Sequence, residues 1–183
     1  MLDLGELGQL VLRHRRPADE HELGDALELL LKERGDLLAH AAGQLDLLRG
    51  PWLDPLCEIL GYATRDLRSG DGPVPPAGVG ALLLDAPVFR NEGWSLRPAS
   101  CLIIVPAGRD LRAQGSESPR SYGLQLCRQH GLRRAALTDG LRWALLSPEL
   151  KFLSQWQLDR ALRDRNSGEL EGFLATFLAE AQP

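Results

Sequence analysis

The side chains that could hold a metal ion are carboxylates beside two apolar runs. Asp85 ends the run that begins at Ala81, and the run from Cys101 to Val105 leads towards Asp110. Mg²⁺ prefers carboxylate oxygens, but a single carboxylate binds it weakly. Asp85 also suits another role, because acidic side chains often stabilise turns where strands end. The sequence therefore leaves Asp85 open as a metal ligand or as a turn residue.

Arginines are the side chains that could contact phosphate. Residues 101–165 carry 11 basic and 6 acidic side chains, although the formal net charge of the whole chain is −4. The planar guanidinium group suits phosphate oxygens, but arginines also decorate solvated faces and helix C-termini. We expect nucleic-acid contacts at five positions: Arg109, Arg128, Arg133, Arg134 and Arg142.

The helices that must position these residues follow from apolar spacing. A stripe from Leu23 to Leu31 predicts a helix that ends at Gly35, and a second stripe from Leu38 to Leu48 predicts another. A short helix is predicted to begin at Asp54 and to stop at Gly61. Further helices are predicted at residues 117–130 and at the C-terminus, where the stripe comprises Leu170, Phe173, Leu174, Phe177 and Leu178.

Strands are predicted at residues 81–85, 101–105, 133–137, 142–146 and within 150–158, and residues 64–80 are predicted to be a loop. Asn91-Glu92-Gly93 favours a hairpin turn within residues 89–98, and Asp139-Gly140 favours a second turn with positive φ angles. These elements predict an α/β fold with a central mixed sheet of about four or five strands flanked by helices. Residues 1–50 would form an N-terminal helical pair, and residues 51–183 the α/β domain.

Three segments together resemble a known family. The first is a strand similar to Leu-Ile-Glu-Val-Lys-Ala, which reads Leu102-Ile103-Ile104-Val105-Pro106-Ala107 here. The second is a hairpin similar to Leu-Thr-Asn/Asp-Gly followed by Trp, which reads Leu137-Thr138-Asp139-Gly140 with Trp143. The third is a helix end, Leu60-Gly61-Tyr62. The resemblance is to the N-terminal nuclease-like domain, of the PD-(D/E)xK kind, of type I and type IIG restriction enzymes.

The resemblance implies a metal site that this chain has lost. The family places one acid on a strand, and an acid and a lysine two residues apart on the neighbouring strand, where both point to one face. Asp85 best matches the first acid, whereas Ile104 and Pro106 occupy the other two positions and cannot hold a metal or supply a cation. Gln125 is a candidate remnant of a glutamine that orients the reaction in active relatives. We therefore expect no catalytic residues, no metal and no cofactor.

The resemblance implies a degenerate domain of a DNA restriction or phage-defence system. It would bind double-stranded DNA or dock to a restriction or methyltransferase subunit or domain. One alternative is a protein-interaction module that uses the leucine-rich helices at residues 19–48. Another is an active Mg²⁺-dependent nuclease with relocated ligands such as Glu92 or Asp110.

The remaining composition points to a soluble globule. No apolar stretch is long enough to cross a membrane, and the N-terminus lacks the features of a signal peptide, so the prediction is a cytoplasmic protein without membrane contact. Cys57, Cys101 and Cys127 show no metal-ligand spacing, and Cys57 and Cys101 lie in apolar runs, where they would be small buried residues.

Overall fold

A six-stranded mixed sheet forms the centre of the protein in a computed structural model that describes residues 20–40, 48–67, 72–90, 93–147, 154–164 and 168–179. The strands lie side by side in chain order. They are β1 (Ala63–Asp66), β2 (Gly80–Arg90), β3 (Gly93–Ile104), β4 (Ala135–Thr138), β5 (Arg142–Leu146) and β6 (Ser154–Gln157). The predicted α/β fold with a mixed sheet is confirmed. The sequence pattern missed β1, since this edge strand is mostly polar and lies partly in the predicted loop.

Helices cover the sheet and connect its strands. They are α1 (Glu20–His40), a π-helical turn (Arg49–Leu53), α2 (Asp54–Ile59), α3 (Pro119–His130), α4 (Leu158–Arg163) and α5 (Glu169–Phe177). In this sheet β3 and β4 are parallel and the other neighbouring pairs are antiparallel. A parallel pair needs a long crossover connection, and α3 provides it. None of the described helices is long and apolar enough to cross a membrane.

The two faces of the sheet bury two separate cores. On β3, Leu102 and Ile104 belong to the core that also contains Leu27 of α1 and Phe173 of α5. Their neighbours Cys101, Ile103 and Val105 belong to the core under α3. Because a strand alternates its side chains between faces, a strand covered on both sides reads as an unbroken apolar run.

The long helix α1 packs on the same core as the sheet. Its Leu27 and Leu30 are buried, and Arg34 donates from Nη1 to the carbonyl oxygen of Pro51 at 2.8 Å. The predicted helix end at Gly35 is wrong, because α1 continues to His40 and Gly35 has no positive φ. Good helix formers on both sides of a glycine can offset its cost of about 1 kcal/mol. Residues 41–47 of the second predicted helix lie outside the described residues, and the boundary at residue 50 stays a prediction.

The helical region before β1 begins earlier than predicted. The π-helical turn runs directly into α2, and Asp54 is itself helical, with φ −62°. Its carboxylate accepts a hydrogen bond from Thr64 Oγ1 at 2.9 Å instead of capping the helix. The predicted stop is confirmed, since Gly61 has φ +87°.

The hairpin of β2 and β3 is longer than predicted. Pairing continues to Arg90 and Gly93, so most of residues 89–98 are strand rather than turn. β1 pairs with only residues 82–85 of β2, and β4 with only residues 101–104 of β3. Residues 86–90 of β2 therefore project beyond β1, by about 16 Å at a rise of roughly 3.3 Å per residue, and residues 93–100 of β3 project beyond β4.

The other predicted elements lie close to their expected bounds. α3 begins at Ser118, whose side chain accepts a hydrogen bond from Ser121 N at 3.1 Å, and ends at Gly131, with φ +65°. The turn between β4 and β5 differs in detail, because only Gly140 has a positive φ, of +106°. Asp139 instead stabilises the turn by accepting a hydrogen bond from Arg142 N at 2.8 Å.

Candidate functional site

The structure does not bring Asp85 to Ile104. Gly80 is the residue of β2 that lies opposite Ile104, and Asp85 lies opposite Pro98. Five residues along a strand correspond to about 16 Å. Asp85 is buried and takes a bidentate hydrogen bond from Arg65, with Nε 2.7 Å from Oδ2 and Nη2 3.1 Å from Oδ1. The carboxylate therefore joins β2 to the edge strand β1, which is a structural role.

The positions where the resemblance puts metal ligands carry neither a carboxylate nor a lysine, although Thr138 of β4 lies opposite Ile104. Ile104 is only 2 % exposed. Gly80 lies opposite it, and a Cβ at the nearby Gly78 would lie 3.3 Å from Cγ of Pro106. Glycine, isoleucine and proline offer neither a ligand nor a side-chain cation. Among the described residues, no group of three histidine, cysteine, aspartate or glutamate side chains is placed to hold a metal ion.

Gln125 does not complete such a site either. Its side chain is exposed on α3 and donates from Nε2 to Ser121 Oγ at 3.4 Å. Ile104 belongs to the core on the other face of the sheet from α3. The two residues therefore do not face each other.

Arg109 and Arg142 connect loops at the carboxyl ends of β3 and β4. Arg142 pairs with Asp139, with Nη2 2.7 Å from Oδ2, and also donates to the carbonyl oxygen of Arg109 at 2.9 Å. Arg109 donates from Nη1 to the carbonyl oxygen of Ala77 at 3.1 Å. These two guanidinium groups thus bind the protein's own loops together.

Arg128, Arg133 and Arg134 lie at the opposite end of β4. Arg128 is exposed in the last turn of α3, and Arg133 is exposed just before β4. Arg134 is half-buried and has Nη1 3.5 Å from the carbonyl oxygen of Thr176. The length of β4, about 13 Å for four residues, separates this group from Arg142. The five predicted arginines therefore form two groups, not one surface.

A groove lies beside the second group and contains an arginine that the sequence reasoning missed. It has a volume of about 570 Å³ and runs between the projecting hairpin and the connection from α3 to β4. We call it the arginine groove, because the described residues of its lining include Arg97, Arg133 and Arg134 and no aspartate or glutamate. Arg97 was overlooked because its segment was predicted to be a turn. A strand prediction for residues 93–100 would have identified Arg97 as a candidate.

The titratable groups inside the core are held in their neutral forms or paired. Burial, with Asp54 nearby, raises the pKa of the Cys57 thiol, and burial also raises the pKa of Tyr62, against an opposing effect of Arg134. The hydrogen bond with Cys127, together with burial, raises the pKa of Cys101. The same hydrogen bond lowers the pKa of Cys127, against the effect of burial. All three cysteines are buried free thiols, which confirms the predicted burial of Cys57 and Cys101.

The sheet of this α/β protein thus has the buried Ile104 near one end and an arginine-lined groove at the other. Comparison of the chain with family models, with curated proteins and with solved structures finds no match.

Proposed function

We propose that this protein is a catalytically inactive nuclease-like domain of a DNA restriction or phage-defence system, acting in DNA binding or in docking to a larger restriction or methyltransferase enzyme. The observation that carries the proposal is the pairing of Gly80 with Ile104 on adjacent strands. The family's arrangement needs acids on two neighbouring strands, and β2 and β3 are such neighbours. At the paired positions, however, neither residue has a side chain that can ligate Mg²⁺ or activate water.

DNA binding is supported by the charge at the other end of the sheet. Arg128 and Arg133 are exposed and, like Arg97, make no ion pair within the described part of the chain. Duplex DNA carries one negative charge per about 1.7 Å of its axis, and arginines that contact it release bound counterions. Exposed guanidinium groups on one end of a sheet therefore favour contacts with phosphates.

The test is salt-dependent retention of a 20-base-pair duplex by the wild type and by Arg128→Gln and Arg133→Gln. Each substitution should reduce the magnitude of the negative slope of log K against log salt by about 0.9. Arg134 is left unchanged because it bonds to Thr176. The matched control is Arg112→Gln, since Arg112 is also exposed but lies in the loop after β3. If the wild type does not bind the duplex, the DNA role is wrong; if Arg128→Gln and Arg133→Gln both keep the wild-type slope, the assignment of DNA contacts to these two arginines is wrong.

The absence of catalysis is tested separately by incubating supercoiled plasmid with the protein and Mg²⁺. We expect no nicking above the rate without protein. Nicking that disappears in Asp85→Ala would favour an active nuclease with relocated ligands. Nicking that persists in that variant and co-purifies with the protein would also contradict the absence of catalysis, because Glu92 or Asp110 would then be the candidate ligands.

A second candidate function is protein docking without a DNA role. The observation that favours it is the exposure of two large apolar side chains on α1, with Leu29 55 % and Leu37 43 % exposed. Exposed apolar side chains on one helix can belong to an interface. Duplex retention separates the candidates, because a docking module would show no salt-dependent DNA binding and Arg128→Gln would change nothing.

A further inference from the structure

The arginine groove exists because β3 continues where β4 does not. β4 begins at Ala135, opposite Cys101, so the part of β3 before Ser100 has no strand on that side. The chain before β4 is anchored by Leu132, which is buried, and by the carbonyl oxygen of Arg134, which accepts a hydrogen bond from Ser100 Oγ at 3.2 Å. Between these two segments the sheet opens into a space of about 570 Å³.

A β-bulge shapes the wall that β3 contributes. Leu84 pairs with Ser100 and Asp85 with Pro98, so Ala99 is an extra residue without a partner on β2. Bulges bend a strand and change the direction of its side chains, and they are common beside functional sites. Pro98 has no N–H to donate, which disfavours the addition of another strand along this edge. The groove is therefore better suited to a ligand that binds side chains than to a β-strand.

The charge of the described lining is unbalanced. Arg97 comes from the hairpin wall, and Arg133 and Arg134 come from the opposite wall, while none of the described residues that line the groove is a carboxylate. The buried acid on the hairpin, Asp85, is already bound to Arg65. Guanidinium groups on facing walls repel each other unless an anion lies between them, and an anion with several oxygens can bind to both.

We propose that the arginine groove receives the phosphate backbone of one strand of the bound duplex, with Arg97 and Arg133 contacting phosphates from opposite walls. This inference rests on the proposed function. A site of 300–1,000 Å³ encloses a ligand of small-molecule size, so a groove of about 570 Å³ holds a short stretch of one backbone while the rest of the duplex remains outside. Arg97 then becomes a DNA-binding residue, and the projecting hairpin lies against the duplex.

Fluorescence anisotropy with a labelled 20-base-pair duplex between 50 and 200 mM salt tests this assignment. Loss of one phosphate contact reduces the magnitude of the slope of log K against log salt by about 0.9, so the ratio of wild-type to variant affinity should change about 3.5-fold over this range for Arg97→Gln. Arg133→Gln should behave alike, and the double variant should change the ratio by about 12-fold. Arg112→Gln should keep the wild-type slope, and unchanged melting temperatures would show that all variants fold.

The outcomes separate the groove from the general DNA role. If Arg128→Gln lowers the slope but Arg97→Gln does not, DNA binding stands and the groove assignment is overturned. If the wild type does not bind the duplex, both proposals fail. A polyglutamate peptide is the second probe: binding of this peptide that depends on Arg97, with duplex binding that does not, would assign the groove to an acidic polypeptide and overturn the proposal.

Discussion

Replacing Gly140 with alanine tests how α1 is seated on the sheet. Gly140 has φ +106°, and its carbonyl oxygen accepts hydrogen bonds from the indole nitrogens of Trp52 at 2.9 Å and Trp143 at 3.3 Å. A Cβ at this position would lie 2.9 Å from Cδ2 of Leu38 and 3.1 Å from Cδ1 of Leu48. The turn between β4 and β5 therefore touches α1 and the π-helical region at once, and only glycine fits there.

Two costs add up in Gly140→Ala. Holding a non-glycine residue at positive φ costs about 1–3 kcal/mol, and forcing a methyl group into a packed core costs about 1–3 kcal/mol more. Gly108 provides a matched control, because it also has positive φ, +81°, but a Cβ there would meet nothing within 4 Å. Gly108→Ala should carry only the first cost. The difference between the two variants isolates the packing of α1 on the turn.

The free energy of unfolding is measured by urea denaturation, followed by the fluorescence of the buried tryptophans. We expect Gly140→Ala to lose more than Gly108→Ala by about 1–3 kcal/mol, which is a large part of the 5–15 kcal/mol typical of a domain. Equal losses in the two variants would refute the close contact of α1 with the turn. In that case, α1 would not belong to the same core as the sheet.

Two further predictions concern pH and the packing of two helices. Burial raises the folded-state pKa values of Cys57 and Tyr62 above their unfolded-state values. Their contribution to stability is therefore complete below about pH 8.5, the pKa of an unfolded thiol. It is lost as the pH rises above that value and then above about pH 10, the pKa of an unfolded phenol. Urea midpoints at pH 7–10.5 should fall over this range, and a constant midpoint would contradict the burial of both groups. Gly172→Ala in α5 should raise the free energy of unfolding by about 0.5–1 kcal/mol, since a Cβ there lies 3.4 Å from Trp156 Nε1. Gly123→Ala in α3 should instead lower the free energy of unfolding by up to about 2 kcal/mol, because its Cβ would lie 3.1 Å from Ile103 Cγ1 and 3.2 Å from Leu146 Cδ1. Equal stabilisation by Gly172→Ala and Gly123→Ala would show that α3 does not pack so closely on the sheet.

The elements with strong local signals were predictable from sequence. The apolar run at Cys101–Val105 is a central strand because it is buried on both faces, and such a strand needs no alternation. α3 could be placed because Ser118, Pro119 and Gly131 mark its ends by well-understood backbone preferences. In each case the information lies within a few residues of the element.

The elements that failed depend on tertiary contacts. Gly35 is a typical helix end by local preference, but α1 packs against the core on both sides of it and continues. Asp54 has the local features of a helix cap, yet it bonds to Thr64 across the turn into β1. Local propensity is weak in both cases compared with the packing that surrounds the residue.

Asp85 and Ile104 lie apart for a reason of register. Asp85 was matched to the first acid by its place at the end of an apolar run, but in an antiparallel hairpin the start of one strand faces the end of the other. Counting back from the pair Arg90–Gly93 places the partner of Ile104 at residue 79, and the bulge moves it to Gly80. The tight turn was the missing information, because register follows from turn length. The same error concealed Arg97, which a long hairpin places in the groove.

Ile104 and Arg97 lie far apart along β3, in different surroundings. An acid at position 104 would be buried among mostly apolar side chains, and an unpaired buried charge costs several kcal/mol, so isoleucine stabilises this position. About 23 Å of β3, seven residues at roughly 3.3 Å each, separate Ile104 from Arg97. A DNA backbone bound in the arginine groove, as proposed, would therefore lie far from Ile104. The Arg97 and Arg133 variants thus test the proposed DNA binding without changing the surroundings of Ile104.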